Sequence, residues 1–213
     1  RGRTWGGVTS NGGTLGLSHD EGGVDGVWAS LGQHWLRGKN VADNHKSTAM
    51  AGYYYRLRDS ADERMRTGLT LMYWSYDQDL SEYTLGQGGY YSPQQYYSIG
   101  VPLNYAFRTA NWSVSLETSV SWSHSKTDGN DLYPLNGLNS KLLSALDQAG
   151  YELAEPLGKT ASSTSNGIGY KVRVLVGRRL SDCRVLGPGG RFQHSDVYAL
   201  KRGLMYLHYT FDP

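Results

Sequence analysis

Hydrophobic and polar residues alternate along the chain with a period of two. From Trp112 to His124 the sequence reads WSVSLETSVSWSH, with apolar residues on one parity and mostly serines on the other. Because successive side chains of a β-strand point to opposite faces, this pattern predicts a strand with one apolar and one hydrated face. Each such stretch covers about ten residues, the length of a tilted strand that crosses a bilayer. The period recurs at Met65–Tyr73, Tyr97–Phe107, Ala49–Leu57, Tyr170–Val176 and Gly203–Phe211.

The segments between these predicted strands alternate between short and long. This alternation is typical of an outer-membrane barrel, which has short periplasmic turns and long outer loops. The pattern therefore predicts an all-β fold, an antiparallel transmembrane β-barrel. We expect short segments at His19–Gly26, Arg58–Arg64, Arg108–Asn111 and Ser181–Arg184, an intermediate one at Arg37–Lys46, and long ones at Ser75–Gln95, Ser125–Asn166 and Gln193–Arg202.

The number of predicted strands is nine or ten, whereas closed barrels of this class have an even number. A sheet left open in lipid would leave backbone donors and acceptors without hydrogen-bond partners. We therefore expect further strands upstream or on another chain. The soluble alternative is a sandwich or jelly roll. Strands of those folds are usually shorter, about five or six residues, and bury aliphatic faces.

Two local signals interrupt the strand pattern. Asn11-Gly12 predicts a type I′ turn, which would end a truncated first strand over residues 3–9. Asn139–Gly150 predicts a short helix inside the longest outer loop, because a leucine stripe lies between an N-capping asparagine and a terminal glycine.

Composition narrows the class of protein. The 213 residues include 28 Gly and 17 Tyr, and the longest apolar runs fall far short of the roughly 20 residues of a membrane helix. The single Cys183 excludes a disulfide framework or a thiolate metal cluster within one chain. With 21 basic and 19 acidic residues spread along the chain, the net charge of +2 gives no reason to expect nucleic acid as a partner.

Catalytic motifs do not emerge from the sequence, so we predict no enzyme, no cofactor and no metal. Gly158-Lys159-Thr160 lacks the earlier glycine of a phosphate-binding loop. The acidic group Asp77, Asp79 and Glu82 is interpreted as solvated loop charge rather than as a cation site. Glycoside hydrolases need two carboxylates that face one cleft, whereas Glu117 is the only acid within the clean strand faces.

Aromatic residues suggest two roles according to their parity. On the apolar parity we expect tyrosines to anchor the protein at the lipid headgroups, at positions 53, 55, 73, 97 and 105. On the other parity they should face a water-filled lumen, where a flat ring suits a sugar ring or merely borders pore water. Charged residues of that parity, which include Arg179, give a mixed polar lining. The candidate glycan-contacting residues are Trp74, Tyr76, Tyr90, Tyr91, Tyr54, Arg66, Glu117, Lys171 and Arg173.

One block of sequence resembles a known family. The segment Tyr83–Leu103, with GQGGYYSPQ as its most specific part, is similar to the C-terminal domain of the cellulose synthase operon protein C family. Supporting similarities lie at Gly2–Val8, Trp122–Ser125 and the closing Gly203–Phe211. Two features depart from that family's pattern: Asp212-Pro213 follow the usual terminal aromatic residue, and Cys183 with the GPGG stretch predicts an irregular strand over Val185–Gln193.

The resemblance implies a bacterial outer-membrane barrel of about sixteen strands, preceded by periplasmic tetratricopeptide repeats. It implies a porin-like channel that guides newly made cellulose from the periplasm to the cell exterior. Its partners would be the cellulose chain, outer-membrane lipid, and periplasmic and inner-membrane cellulose synthase components. Residues 1–213 would be the C-terminal part of that one barrel domain, with the upstream strands and the repeats outside this chain.

The mechanism that we expect is passive guidance through many weak contacts, since strong binding would stall a moving polymer. Trp74, Tyr76, Tyr90 and Tyr91 would form a stacking surface near the outer mouth, and the longest loop would gate it. Two alternatives remain open at this point: a general porin or an exporter of another exopolysaccharide such as alginate or poly-N-acetylglucosamine, and a soluble β-rich glycan-binding module or hydrolase.

Overall fold

The computed structural model of the chain describes residues 4–135, 145, 148–149, 158–181, 183–195 and 198–211. Nine strands form one antiparallel sheet in which neighbours along the chain are neighbours in space. The predicted all-β antiparallel class is thereby confirmed. The strands are β1 Gly6–His19, β2 Asp25–Lys39, β3 Asn44–Asp59, β4 Glu63–Tyr76, β5 Gln95–Arg108, β6 Trp112–Thr127, β7 Ser163–Ser181, β8 Arg184–Ser195 and β9 Tyr198–Tyr209.

The sheet is open within the described residues. β1 pairs only with β2 and β9 pairs only with β8 there, so the first and last strands do not close the sheet on each other. An odd number of strands with two unpaired edges is consistent with one part of a larger barrel. Among the described residues, no helix is long and apolar enough to cross a bilayer.

Strand register places the apolar positions of successive strands side by side. One row of seven directly paired residues crosses the sheet from β1 to β7. Its large side chains are exposed, as are Leu69 (38%), Val101 (53%) and Val174 (37%) elsewhere on the same face. The predicted alternation is therefore confirmed, and its apolar side does not pack into a dry interior. The row consists of Leu17, Ala29, Ala51, Leu71, Ile99, Trp122 and Ile168.

Aromatic side chains lie toward both ends of this apolar face. On β5, Tyr97 and Phe107 are ten residues apart. At about 3.4 Å per residue and a tilt of about 45°, that separation covers about 24 Å, close to the ~25 Å apolar band of outer-membrane barrels. The exposed aromatic residues toward the long-loop end are Trp35, Tyr73, Tyr97, Trp122 and Tyr170, and those toward the short-turn end are Tyr55, Phe107, Trp112 and Tyr209.

Most predicted connections agree with the structure, and one is wrong. The two longest run over 77–94 and 128–162, and the turns after β3, β5 and β7 are short. The connection after β8 was predicted to be long, but it contains only residues 196–197. Pairing continues to the very end of both strands, where His194 pairs with Ala199 and Ser195 with Tyr198, so that no room is left for a loop.

The predicted turn at Asn11-Gly12 is also wrong, because β1 runs straight through it from Gly6 to His19. Neither Gly12 nor Gly13 has a positive φ. Gly12 instead allows the backbones of β1 and β2 to approach each other closely. A Cβ there would lie 2.1 Å from the carbonyl oxygen of Gln33 and 2.7 Å from the Cα of His34 on β2.

Two further local predictions have different outcomes. The stretch around Gly187-Pro188 is expected to be irregular, and the outcome differs between its two sides. β8 forms over Arg184–Ser195 and pairs with β9 through both residues, but the register with β7 is interrupted at Gly187 and Pro188. The helix predicted over Asn139–Gly150 lies outside the described residues, apart from positions 145, 148 and 149.

Candidate functional site

The nine candidate residues lie in two groups on the hydrated face, and most of them are brought there by strand parity. One group lies at the end of the face next to the long loops. The other lies farther down the strands, toward the short turns. Tyr90 and Tyr91 are the exceptions, because they belong to the 77–94 loop and not to a strand.

At the loop end, aromatic rings of neighbouring strands stack on each other. Trp74 of β4 pairs with Tyr96 of β5, and their rings are parallel within 4° at a centroid separation of 3.8 Å. Lys46 of β3 lies over two rings, with Nζ 5.5 Å from the centroid of Trp74 and 5.4 Å from that of Tyr76. Such distances allow cation–π attraction. We call Lys46, Trp74, Tyr76 and Tyr96 the mouth cluster.

Trp74 and Tyr76 are predicted from the sequence, whereas their two partners in the mouth cluster are not. Tyr96 precedes Tyr97, whose parity is apolar, so parity alone could have placed Tyr96 on the hydrated face. Lys46 could not be found in this way. Its position beside Tyr76 depends on the register between β3 and β4, which a single strand does not specify.

Tyr90 joins the mouth cluster to a buried layer beneath the loops. Its ring is 5.8 Å from that of Tyr76, and its hydroxyl accepts a hydrogen bond from Asn44 Nδ2 at 3.1 Å. It also packs against a small hydrophobic core that contains Val41 and Leu80. Burial raises the pKa of the Tyr90 hydroxyl above its ordinary value of 10.0. Tyr90 is thus half-buried and supports the loop as well as bordering the mouth.

Tyr91 is the most exposed of the loop candidates. Its side chain is 55% exposed, and its hydroxyl shares a hydrogen bond with Ser125 Oγ at the end of β6. The contact ties the 77–94 loop to the strand that precedes the longest loop. A large part of the Tyr91 ring therefore remains open to an occupant of the mouth.

The GQGGYYSPQ block contributes Gln87 and Ser92 to a buried layer that we call the loop core. The other members of the loop core are Val41, Ala42 and Leu80. Gln87 is completely buried. Its carbonyl accepts a 2.9 Å hydrogen bond from Trp5 Nε1, and its Nε2 donates to the Asp131 carbonyl at 2.8 Å. Ser92 Oγ accepts from the Leu80 amide at 2.7 Å. The most distinctive block of the sequence is thus the best-packed part of the described chain.

Asp79 corrects one sequence interpretation, which treated the acidic group of the loop as solvated charge. Its side chain is only 4% exposed. The carboxylate accepts hydrogen bonds from the Ser81 amide at 3.1 Å and from Ser92 Oγ at 3.2 Å. A buried carboxylate needs such partners, so Asp79 is part of the loop's internal hydrogen bonding.

Farther down the hydrated face, register aligns polar residues of seven consecutive strands, and six of them are charged. The row contains five arginines and one glutamate, so its formal charge is +4. Predicted residues Arg66, Glu117 and Arg173 fall on this row, and Lys171 lies two residues away along β7. Arg179 lies closer to the turn, paired with Val185. We call this set the arginine row: Arg56, Arg66, Asn104, Glu117, Arg173, Arg191 and Arg202.

Glu117 is held by two basic residues of β7. Its Oε1 lies 3.2 Å from Arg173 Nη1, and its Oε2 lies 4.0 Å from Lys171 Nζ. All three side chains remain between one third and one half exposed, so they border a wet surface. Glu117, Arg66, Arg56 and Asn104 also line a groove of about 660 Å³ near the short turns.

Tyr54, predicted as a glycan contact on the hydrated face, is engaged by neighbouring charged groups. Two guanidinium groups lie over its ring, with centroid distances of 5.4 Å to Arg56 and 5.2 Å to Arg66. Its hydroxyl donates a hydrogen bond to Asp20 in the turn after β1, and this bond lowers the pKa of the Asp20 carboxyl. Arg56 pairs with the same carboxylate at 2.7 Å. Tyr54 therefore packs inside a polar cluster.

Sequence comparison finds one family and several relatives. Residues 1–212 match the family model described as "Cellulose synthase operon protein C C-terminus". The chain is 42% identical over 209 residues to "Cellulose synthase operon protein C" of Salmonella typhimurium, which covers 98% of the chain and 17% of that protein. The protein of that name in Escherichia coli (strain K12) has the same identity and coverage. That of Pseudomonas fluorescens is 31% identical over 211 residues, covering 99% of the chain and 16% of the relative.

Proposed function

The chain belongs to the cellulose synthase operon protein C family, and from this premise we propose that it forms part of an outer-membrane channel for cellulose. The channel guides newly synthesised β-glucan from the periplasm to the cell exterior. Residues 1–213 contribute the C-terminal strands of one barrel domain. Further strands close the sheet, and the rest of the protein, including tetratricopeptide repeats, faces the periplasm. The chain spans about one sixth of the length of its curated relatives, so the whole channel needs more than this chain.

One observation carries the proposal: a single sheet has an exposed apolar face and an opposite face lined with hydroxyl, aromatic and basic groups. Soluble monomers rarely expose contiguous apolar patches of this extent. In a bilayer the apolar face would contact the lipid chains. The aromatic residues toward both of its ends would lie at the two membrane–water interfaces, as in outer-membrane barrels. The hydrated face then borders water.

The hydrated face suits a neutral polysaccharide. On β6 it presents a line of serines, which exchange hydrogen bonds with sugar hydroxyls as readily as with water. The mouth cluster offers flat aromatic faces for the apolar faces of glucose rings. Each contact is weak, and the polymer can therefore move from one to the next. The partners in this process are the cellulose chain, outer-membrane lipid, and the periplasmic and inner-membrane components of cellulose synthase.

We assign no catalytic step to this face. A glycosidase places two carboxyl groups about 5–9.5 Å apart across the scissile bond. In the described strands, Glu117 is the acid of the hydrated face between the two ends, and its carboxylate is engaged by Arg173 and Lys171. Guidance without bond breaking is the activity that this arrangement supports.

The proposal is tested with the full-length protein in a cellulose-producing bacterium that lacks its own copy. Glucose released by added cellulase from intact cells measures the exported polymer. The wild-type protein should restore it, and Trp74→Ala with Tyr91→Ala should lower it several-fold while heat-modifiable migration of the protein stays normal. Tyr83→Ala, which removes an exposed tyrosine of the same loop, is the matched control and should export normally.

Four results would contradict parts of the proposal. Failure of the wild-type protein to restore extracellular cellulose would overturn the channel. Normal export by the double variant would overturn stacking at the mouth. Extraction of the protein by aqueous buffer without detergent would favour a soluble glycan-binding module, and restored uptake of small solutes without cellulose export would favour a general porin.

A further inference from the structure

The arginine row concentrates positive charge in a way that ordinary sheets avoid. Like charges directly opposite each other on neighbouring strands destabilise a sheet. Yet Arg173, Arg191 and Arg202 follow one another on three consecutive strands, and Arg56 faces Arg66 on two others. Neighbouring strands are about 4.8 Å apart, so the charges repel strongly unless something compensates them.

The described residues compensate only part of this charge. Glu117 pairs with Arg173, and Arg56 lies 2.7 Å from Asp20 and 4.0 Å from Asp59. Arg191 donates a 2.6 Å hydrogen bond to Gln193 Oε1, which is neutral. In the described part of the chain, Arg66, Arg191 and Arg202 form no salt bridge, and all three are exposed on the hydrated face.

Further basic residues lie along this face. Lys171 lies two residues from Arg173 along β7, and Arg64, which pairs with Asp59 at 3.6 Å, lies two residues from Arg66 along β4. Lys46 adds a further positive charge at the mouth. An ion that passes the arginine row therefore comes within about 10 Å, one Debye length at 0.1 M salt, of Arg191 and Arg202 on adjacent strands.

We propose that the arginine row makes the pore selective for small inorganic anions. The inference rests on the proposed function, because it requires that the hydrated face line a water-filled passage. Rings of basic side chains select anions by lowering their energy in the pore and raising that of cations. A neutral glucan is unaffected by this field, so the row can restrict cation leakage without opposing the polymer.

The experiment measures ion selectivity of the full-length protein in planar lipid bilayers. A potassium chloride gradient is applied at low salt, and the reversal potential gives the chloride-to-potassium permeability ratio. The wild-type protein should favour chloride. Arg191→Gln with Arg202→Gln halves the formal charge of the row and should lower the ratio about threefold, since each charge acts through water at short range.

Two companion variants separate selectivity from misfolding. Glu117→Gln removes the row's only negative charge and should raise the chloride preference, a gain that a damaged pore would not show. Arg178→Gln with Arg184→Gln also removes two positive charges, but these lie on the parity of the apolar face, over the rings of Trp112 and Tyr209. This control should leave the permeability ratio unchanged.

The outcomes distinguish the two proposals. A conductance that favours potassium would overturn the role of the arginine row and leave the proposed channel intact. So would a chloride-to-potassium permeability ratio that is unchanged by the Arg191 and Arg202 substitutions. A wild-type protein that inserts and passes no ions would overturn the water-filled passage itself, and the selectivity with it. An equal effect of the control pair would show that charge on either face acts nonspecifically, which also overturns the inference.

Discussion

Trp74 and Tyr96 lie face to face across β4 and β5, with ring centroids 3.8 Å apart and planes within 4° of parallel. Each ring therefore covers one face of the other on the hydrated face. A pair in this geometry contributes about 0.5–1.5 kcal/mol beyond the apolar area that it buries.

That contribution can be measured with a double-mutant cycle. Trp74→Ala, Tyr96→Ala and the double variant should show a coupling free energy of about 1 kcal/mol, because either single change removes the same stack. The measurement is the free energy of unfolding of the detergent-solubilised full-length protein in urea. Strictly additive single effects would mean that the two rings do not support each other.

The raised pKa of Tyr90 predicts a pH dependence for the loop core. The folded state holds the hydroxyl proton more tightly than the unfolded state, so the contribution of Tyr90 is fully present below pH 10.0 and is lost as the pH rises through the higher folded value. Protection of the 77–94 loop from proteolysis should therefore fall above pH 10.0. Tyr90→Phe should weaken this pH dependence, while Tyr83→Phe, in the same loop, should retain it in full.

The glycines of β1 allow a sharp test of close approach. Gly12→Ala would force a Cβ to within 2.1 Å of the Gln33 carbonyl, whereas a Cβ at Gly13 meets nothing within 4 Å. We expect Gly12→Ala to destabilise the β1–β2 pair by about 1–3 kcal/mol, the range of overpacked sites. Gly13→Ala should be neutral or slightly stabilising. The measurement is the temperature at which each variant loses heat-modifiable migration. Equal temperatures for the two variants would contradict the close approach at Gly12 and favour a turn there.

The exposed apolar face predicts which substitutions block membrane insertion. Val101→Arg places a charge in the middle of the aliphatic band and should cost about 2–4 kcal/mol. Ser121→Arg, on the opposite face of the adjacent strand, adds the same charge where water can reach it and should be tolerated. Recovery of protein in the outer-membrane fraction is the measurement. Normal recovery of Val101→Arg would place this face in water.

Sequence alone predicted the strands and their faces because alternation is a local property. The parity of Leu71, Ile99 and Trp122 can be read within each strand, and the structure places them on one row. Family resemblance came from one compact block, 83–103, and comparison confirms it.

The errors arise where partners distant in sequence override a local signal. Asn11-Gly12 is a strong turn dipeptide, but its glycine is required by His34 on the next strand. The sequence around Asp79 is typical of a surface loop. In the folded loop its carboxylate is buried and accepts a hydrogen bond from Ser92, thirteen residues later. Likewise, Arg191 and Arg202 join Arg173 only through register, which depends on the whole sheet.

The loop core has a mechanical consequence for the exit. A backbone bond from Ala42 to Gly86 fastens the 77–94 segment to the corner between β2 and β3, and a bond from Gly88 to Leu80 closes the segment on itself. Gln87 ties it further to Trp5, ahead of β1, and to Asp131, after β6. Moving this segment away from the mouth would expose the buried side-chain amide of Gln87 and break its hydrogen bonds to Ala42, Trp5 and Asp131 together. The segment 77–94 therefore behaves as a rigid border of the mouth and not as a movable flap.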